Sequence, residues 1–217
     1  MPARLDGVEE STNDRGMKDS RSPLALVAFA LSTIFSPFVV FALLIILFVR
    51  REAAVTQHFY YWSVVALVVT AAIPLVYILW QFYRGRIADI HIERREQRMG
   101  VFLVFIFSIL AGTITLWWLG APQTFILLTV LIFCSALLAG IITLFWKISI
   151  HSWVIAGAIT IYSLLVGNNL WLWWLAAVVP PVIWSRVYRG RHSIWQGMAG
   201  ALAGILVTLI LYHLLLR

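Results

Sequence analysis

A compact cluster of basic residues stands at positions 185–196, where Ser185-Arg186 is followed, after five intervening residues, by His192. The cluster lies between two long apolar stretches, and ionisable side chains beside such stretches are energetically costly and usually functional. A guanidinium group offers a planar fork of donors to phosphate oxygens. An imidazole titrates near neutral pH, so it can act as a nucleophile or as an acid. These residues therefore predict chemistry on a phosphate group that is carried by a lipid.

Two further loops carry the same residue types. Lys147, Ser149 and His151 follow one apolar stretch, and Arg98 ends a charge-rich segment that precedes another. Phosphoryl transfer needs positioning, stabilisation of charge on the phosphate oxygens, an in-line nucleophile and a proton for the leaving group. The cations and the two histidines provide these functions only if the three loops meet in one site.

Membrane helices are the elements that must bring these loops together. The chain is 62% hydrophobic and 12% charged, whereas a soluble domain is about 45–50% apolar and roughly 25% charged. We therefore predict an all-α, polytopic membrane bundle over residues 23–217, preceded by a polar, disordered tail over residues 1–22. The net charge of +7 clusters in loops between apolar runs, which favours anionic lipid head groups and membrane orientation over a nucleic-acid partner.

Seven apolar runs approach the roughly 20 residues that a spanning helix needs. They cover residues 24–49, 59–83, 101–119, 122–146, 152–166, 170–184 and 195–216. The fifth and sixth runs are short and are separated by the turn-forming Gly167-Asn168-Asn169, and Pro180-Pro181 is expected to kink the sixth. A bundle of six helices with a re-entrant segment is the alternative.

Seven crossings would place all three polar loops on one face, because an even number of crossings separates each pair of loops. Thirteen of the sixteen Lys and Arg residues then lie on that face, counting those of the tail. The positive-inside rule predicts that such a face is cytoplasmic. We therefore expect an integral membrane protein, in the plasma membrane if the source is prokaryotic, with its polar site facing the cytoplasm.

The last polar loop resembles the third motif of the type 2 phosphatidic acid phosphatase and vanadium haloperoxidase superfamily. That motif reads Ser-Arg, five residues, His, three residues, Asp, and its positions are occupied here by Ser185, Arg186, His192 and Gln196. The resemblance covers roughly residues 84–210 and implies an integral membrane phosphatase fold.

The other two loops resemble the remaining motifs of that superfamily in order and spacing. The second motif, Pro-Ser-Gly-His, aligns with residues 148–151, where isoleucines replace the proline and the glycine. The first, Lys, six residues, Arg-Pro, aligns with His91 and Arg98, and Arg94 and Arg95 lie close enough to supply the charge that His91 lacks.

The resemblance implies a role for each matched residue. His192 would attack phosphorus and form a phosphohistidine, and His151 would protonate the leaving group. The residues that would hold the phosphate oxygens are Arg98, Ser149, Ser185 and Arg186. Lys147 lies just outside the second motif and is assigned a supporting role in phosphate binding on its charge alone. Only four carboxylates lie outside the tail, and three of them share one loop, so we predict no metal ion and no cofactor.

Gln196 replaces the aspartate that orients the nucleophilic histidine in the third motif. Its amide oxygen can accept the Nδ1–H of His192 and so fix the tautomer, but it brings no negative charge. In the serine-protease triad the corresponding acid-to-amide change lowers kcat about 10⁴-fold. A slower enzyme is therefore one expectation, and a non-catalytic relative is the other.

We expect a lipid phosphate phosphatase that acts on phosphatidic acid, phosphatidylglycerol phosphate, or a polyprenyl phosphate or diphosphate. The alternative is a catalytically degenerate relative that binds anionic lipids or serves as a membrane scaffold. Gly197, Gly200 and Gly204 follow the third motif at a spacing typical of close helix packing, which leaves open a homo-oligomer through Gly200 and Gly204.

Overall fold

A computed structural model describes residues 22–52, 59–85, 95–166 and 172–215 of the chain. Every described residue lies in a helix or in a short connection between helices, which confirms the all-α class. His91, Arg94 and all but the last residue of the predicted tail lie outside the described residues. Ser22, that last residue, accepts a hydrogen bond from the backbone N–H of Ala25 (3.1 Å) and so caps the first helix.

The described helices follow one another along the chain with short connections. They are α1 (Pro23–Ile34), α2 (Pro37–Glu52), α3 (Phe59–Leu67), which runs through a π-helical turn (Val68–Ala72) into α4 (Ile73–Tyr83), α5 (Arg95–Trp118), α6 (Gln123–Phe145), α7 (Ile150–Val166), α8 (Leu172–Ala176), α9 (Val179–Tyr188) and α10 (Ile194–Leu215).

Fewer helices than predicted can cross a membrane. Within the described residues, four helices are long and apolar enough, and α1 with α2 would count as a fifth despite the 49° bend between them. The prediction of seven spanning helices is therefore wrong. The run at 152–166 forms α7, whose 17 residues fall short of a full span, and the run at 170–184 is divided between α8 and α9.

Prolines account for two of these differences. Pro37 has no backbone N–H, so the N–H groups of Phe35 and Ser36 close the end of α1 and a new helix starts at the proline. Pro180 and Pro181 occupy the first turn of α9, where a helix tolerates proline because those N–H groups have no partner inside the helix. Hydropathy alone predicts neither the break between α1 and α2 nor the break between α8 and α9.

Glycines let α7 and α10 approach each other closely. A Cβ atom on Gly200 would lie 2.5 Å from the carbonyl oxygen of Ser149, and one on Gly204 would collide with the carbonyl oxygen of Trp153. The small-residue face predicted from the sequence therefore packs against the start of α7 within the same chain. A homo-oligomer, which stays a prediction, would need a different surface.

Candidate functional site

A cavity of about 710 Å³ lies between α1, α2, α5, α6 and α7 and ends against the segments that carry the second and third motifs. Most of its lining is apolar. Five basic side chains gather at one end, and they are Lys147, His151, Arg186, Arg191 and His192. None of the described residues that line the cavity is acidic. Two of the three predicted loops therefore converge, and their charges face one space.

A turn after α9 places His192 beside Arg186. Gly190 adopts a left-handed conformation (φ 64°), and its N–H donates to the carbonyl oxygen of Val187 (2.9 Å). The N–H groups of Arg191 and His192 both donate to the carbonyl oxygen of Arg186, at 3.0 and 3.3 Å. This is a Schellman-type helix end, which favours glycine because other residues are strained at positive φ. The five-residue spacing between arginine and histidine thus has a local structural cause.

A capping box starts the next helix directly after His192. The Ser193 side chain accepts the backbone N–H of Gln196 (3.3 Å), and the Gln196 side chain accepts the backbone N–H of Ser193 (3.1 Å). Serine followed three residues later by glutamine is the sequence pattern of this motif. Gln196 occupies the position at which the third motif of the superfamily has its orienting aspartate. The same residue therefore also takes part in the cap of α10.

The same amide oxygen of Gln196 lies 3.2 Å from Nδ1 of His192. Because this oxygen accepts a backbone N–H, it is the carbonyl oxygen of the amide and can only accept from the ring as well. A ring that donates to this oxygen carries its proton on Nδ1, which leaves the lone pair on Nε2 when the ring is neutral. The expected contact between Gln196 and His192 is present, with the geometry that selects one tautomer.

The environment of His192 keeps its ring neutral at pH 7. The pKa of His192 is lowered from 6.5 to about 4, first because burial disfavours the charged ring and then because the Arg186 and Lys147 cations repel it. Hydrogen bonds to the Gln196 side chain and to the Lys147 backbone act in the opposite direction. The neighbouring cations can bind an anion, and a neutral imidazole beside them can attack it through its unprotonated nitrogen.

Arg186 is buried and is held from the other end of the chain. Only 4% of its surface is exposed, and its Nη1 donates to the hydroxyl oxygen of Ser32 in α1 at 2.5 Å. The Arg189 guanidinium lies 5.1 Å from the centre of the Phe29 ring, which adds a second link between α1 and α9. The sequence did not identify Ser32 as part of the site, since its only signal is a hydroxyl in an apolar helix.

The structure does not bring Ser149 and Ser185 into the cavity. Both are fully buried, and neither belongs to the lining. Ser149 caps α7, where its hydroxyl oxygen accepts the backbone N–H of Ser152 (3.4 Å), and its own N–H donates to the carbonyl oxygen of Gln196 (3.2 Å). Ser185 donates its hydroxyl to the carbonyl oxygen of Val182 (2.7 Å). Both serines were expected to contact phosphate. Their hydrogen bonds instead support the backbone of the segments that carry the second and third motifs.

The first motif is described only in part. His91 and Arg94 lie outside the described residues, and Arg95 and Arg98 lie in the first turn of α5, whose side chains are likewise outside them. One turn further along, the described side chains of α5 reach the cavity through Val101 and Phe102. Arg191, to which the sequence assigned no role, lines the charged end beside His192. The sequence signal that could have identified Arg191 is that it is a basic residue directly before His192.

Comparison with known proteins gives no match. No family model, no curated protein and no solved structure matches this chain. Among the described residues, no group of three or more His, Cys, Asp and Glu side chains is placed to hold a metal ion. The function must therefore be inferred from the chemistry of the charged cavity.

Proposed function

We propose that this chain is an integral membrane phosphatase that hydrolyses a lipid phosphate or diphosphate through a phosphohistidine on His192. The observation that carries the proposal is the shared cavity, in which Lys147, His151, Arg186 and His192 stand at one end of an apolar space. A phosphate group needs the cations, and a lipid tail needs the apolar walls. The resemblance of the three motifs to the phosphatidic acid phosphatase superfamily agrees with this proposal.

In the proposed reaction each of these groups has a role. Nε2 of His192 forms a bond to phosphorus as the bond from phosphorus to the leaving oxygen breaks, while Arg186 and Lys147 stabilise the charge on the remaining oxygens. His151, from the facing loop, gives a proton to the leaving oxygen. Water then attacks the phosphorus of the phosphohistidine and gives its proton to His151, while the bond from phosphorus to Nε2 breaks. This step releases inorganic phosphate and returns both histidines to their starting forms. Arg186 and Lys147 supply the charge stabilisation that phosphoryl transfer requires.

The apolar part of the cavity supports a lipid substrate. Its lining follows α7 from Ile150 to Ile161, a rise of about 16 Å along the helix at 1.5 Å per residue. A hydrocarbon chain in this space would leave water and bury apolar surface. Phosphatidic acid, phosphatidylglycerol phosphate and polyprenyl phosphates or diphosphates all have this combination of a charged head and a long tail. The cluster of Lys147, Arg186 and Arg191 favours a cytoplasmic position for the charged end under the positive-inside rule, without the count of seven crossings.

A second candidate is a protein that binds anionic lipids or acts as a scaffold without turnover. The neutral side chain of Gln196 favours it, because the amide orients His192 but does not stabilise an imidazolium. The cations of the cavity, Arg186 and Lys147, would bind a phosphate group equally well in such a protein.

Phosphate release from purified protein separates the two candidates. The protein is reconstituted in vesicles with each candidate lipid, with and without a chelator, and inorganic phosphate is measured. We expect release that persists with chelator and is lost in His192→Ala, but is retained in His213→Ala, which changes a histidine at the far end of α10. Binding of these lipids without release from any of them would favour the second candidate.

A further inference from the structure

We infer that Ser32 is a positioning residue of the phosphate site, which fixes the Arg186 guanidinium at the charged end of the cavity. The inference rests on the proposed role of Arg186 in binding a phosphate group. Ser32 lies in α1, outside the part of the chain that resembles known phosphatases, and 154 residues separate it from Arg186.

The contact joins two groups that are both removed from water. Ser32 has no exposed surface, Arg186 is 4% exposed, and both line the cavity. A buried guanidinium that lacks hydrogen-bond acceptors pays a large desolvation cost, so its orientation follows the acceptors that surround it. The Ser32 hydroxyl oxygen, which accepts from Nη1, is one of these acceptors and comes from a different helix. It therefore limits the rotamers that the long arginine side chain can adopt.

The neighbouring Thr33 provides an internal comparison. It also lines the cavity, but its hydroxyl donates to the carbonyl oxygen of Phe29 in its own helix (2.9 Å). Thr33 therefore satisfies the α1 backbone, whereas Ser32 reaches across to α9. Loss of either hydroxyl removes one polar group from α1. Thr33 is exposed and Ser32 is buried, and only the Ser32 hydroxyl is a hydrogen-bond partner of the arginine.

Loss of the Ser32 hydroxyl should weaken the binding of a phosphate head group specifically. Hydrogen bonds to charged groups contribute enough that we expect affinity to fall about tenfold. A lipid with the same tails and a zwitterionic head does not depend on a fixed Arg186, so its binding should change little. General damage to the fold would weaken both lipids.

The test is a double-mutant cycle on binding, which needs no turnover. Dioctanoyl phosphatidic acid and dioctanoyl phosphatidylcholine are titrated into full-length His192→Ala protein, so that hydrolysis cannot remove the ligand. We expect Ser32→Ala to weaken the binding of phosphatidic acid about tenfold and Thr33→Val, which removes only the hydroxyl, to leave it unchanged. In an Arg186→Met background Ser32→Ala should have no further effect. Ser32→Cys, which keeps the size but has a weaker acceptor, should act in the same direction.

The possible failures are distinguishable. Unchanged affinity in Ser32→Ala, or an equal loss in the Arg186→Met background, would overturn the role of Ser32 while leaving the phosphatase proposal intact. If the cycle shows the expected coupling but the wild-type protein releases no phosphate, the inference stands and the enzyme proposal fails. Equal affinity of the parent protein for the two lipids would overturn the inference together with the phosphate site.

Discussion

Nδ1 of His192 lies 3.2 Å from Oε1 of Gln196, the same oxygen that accepts the backbone N–H of Ser193. One amide oxygen therefore caps α10 and orients the imidazole at the same time. The start of the helix and the tautomer of the candidate nucleophile are coupled through this atom.

A carboxylate at position 196 should make the site more reactive. Gln196→Glu keeps the capping box and adds a negative charge beside the imidazole, which should raise the pKa of His192 and stabilise the developing cation. We expect kcat to rise about tenfold, equivalent to about 1.4 kcal/mol of barrier. Gln196→Leu removes both functions, so it should lower kcat and cost about 1 kcal/mol of stability through the lost cap. A lower kcat in Gln196→Glu with an intact fold would contradict this account.

The pH dependence of kcat/KM should reflect the low pKa of His192. The ring must be neutral to attack, so its acidic limb should lie near pH 4, where the group titrates, and not near 6.5. Lys147→Met removes a cation that lowers this pKa, so the limb should move to higher pH. An acidic limb near pH 6.5 in the wild-type protein would show that the histidine is not buried among cations.

The lowered pKa of His192 should also make the free energy of unfolding depend on pH. Between pH 6.5 and about 4 the unfolded chain binds a proton at His192 that the folded chain does not. The free energy of unfolding should therefore fall as pH decreases through this window. In His192→Gln this component should be absent, which urea unfolding in detergent at several pH values can measure. An identical pH dependence in both proteins would contradict the assignment.

A comparison of Gly190→Ala with Gly120→Ala separates the effect of the turn beside His192 from the effect of backbone strain at positive φ. Both glycines have positive φ, 64° and 67°, and for both the space around an added Cβ is open to 4 Å. Alanine at either position should cost about 1–2 kcal/mol of stability. Only Gly190→Ala should also reduce phosphate release, because only that turn joins Arg186 to His192. Equal effects of both variants on release would mean that the turn does not set the site.

Crowding at Gly200 should destabilise the chain itself. Gly200→Ala forces a Cβ against the carbonyl oxygen of Ser149, and overpacking of this kind costs about 1–3 kcal/mol. Since the contact lies within one chain, the loss of thermal stability should not depend on protein concentration. A loss that disappears at high concentration would indicate that the glycine face joins two copies instead.

The local parts of the site were predictable from sequence, and the long-range parts were not. The spacing from Arg186 to His192 and the serine–glutamine pair after it are short-range patterns with known backbone consequences, and the structure shows both. The number of spanning helices was predicted wrongly, because hydropathy counted two runs that do not form full spans: the run at 152–166 gives a helix of only 17 residues, and the run at 170–184 is divided between α8 and α9. The contact between Ser32 and Arg186 depends on how α1 packs on α9, which no local pattern encodes.

Trapping of the phosphorylated protein distinguishes a phosphohistidine on His192 from direct attack of water on the lipid phosphate. A lipid phosphate labelled on phosphorus is mixed with the reconstituted protein, the reaction is quenched within its first turnover, and the labelled peptide is identified. We expect an acid-labile, alkali-stable label on His192 that is absent from His192→Ala and retained in His213→Ala. Phosphate release that proceeds without a label on His192, or that survives in His192→Ala, would contradict this expectation.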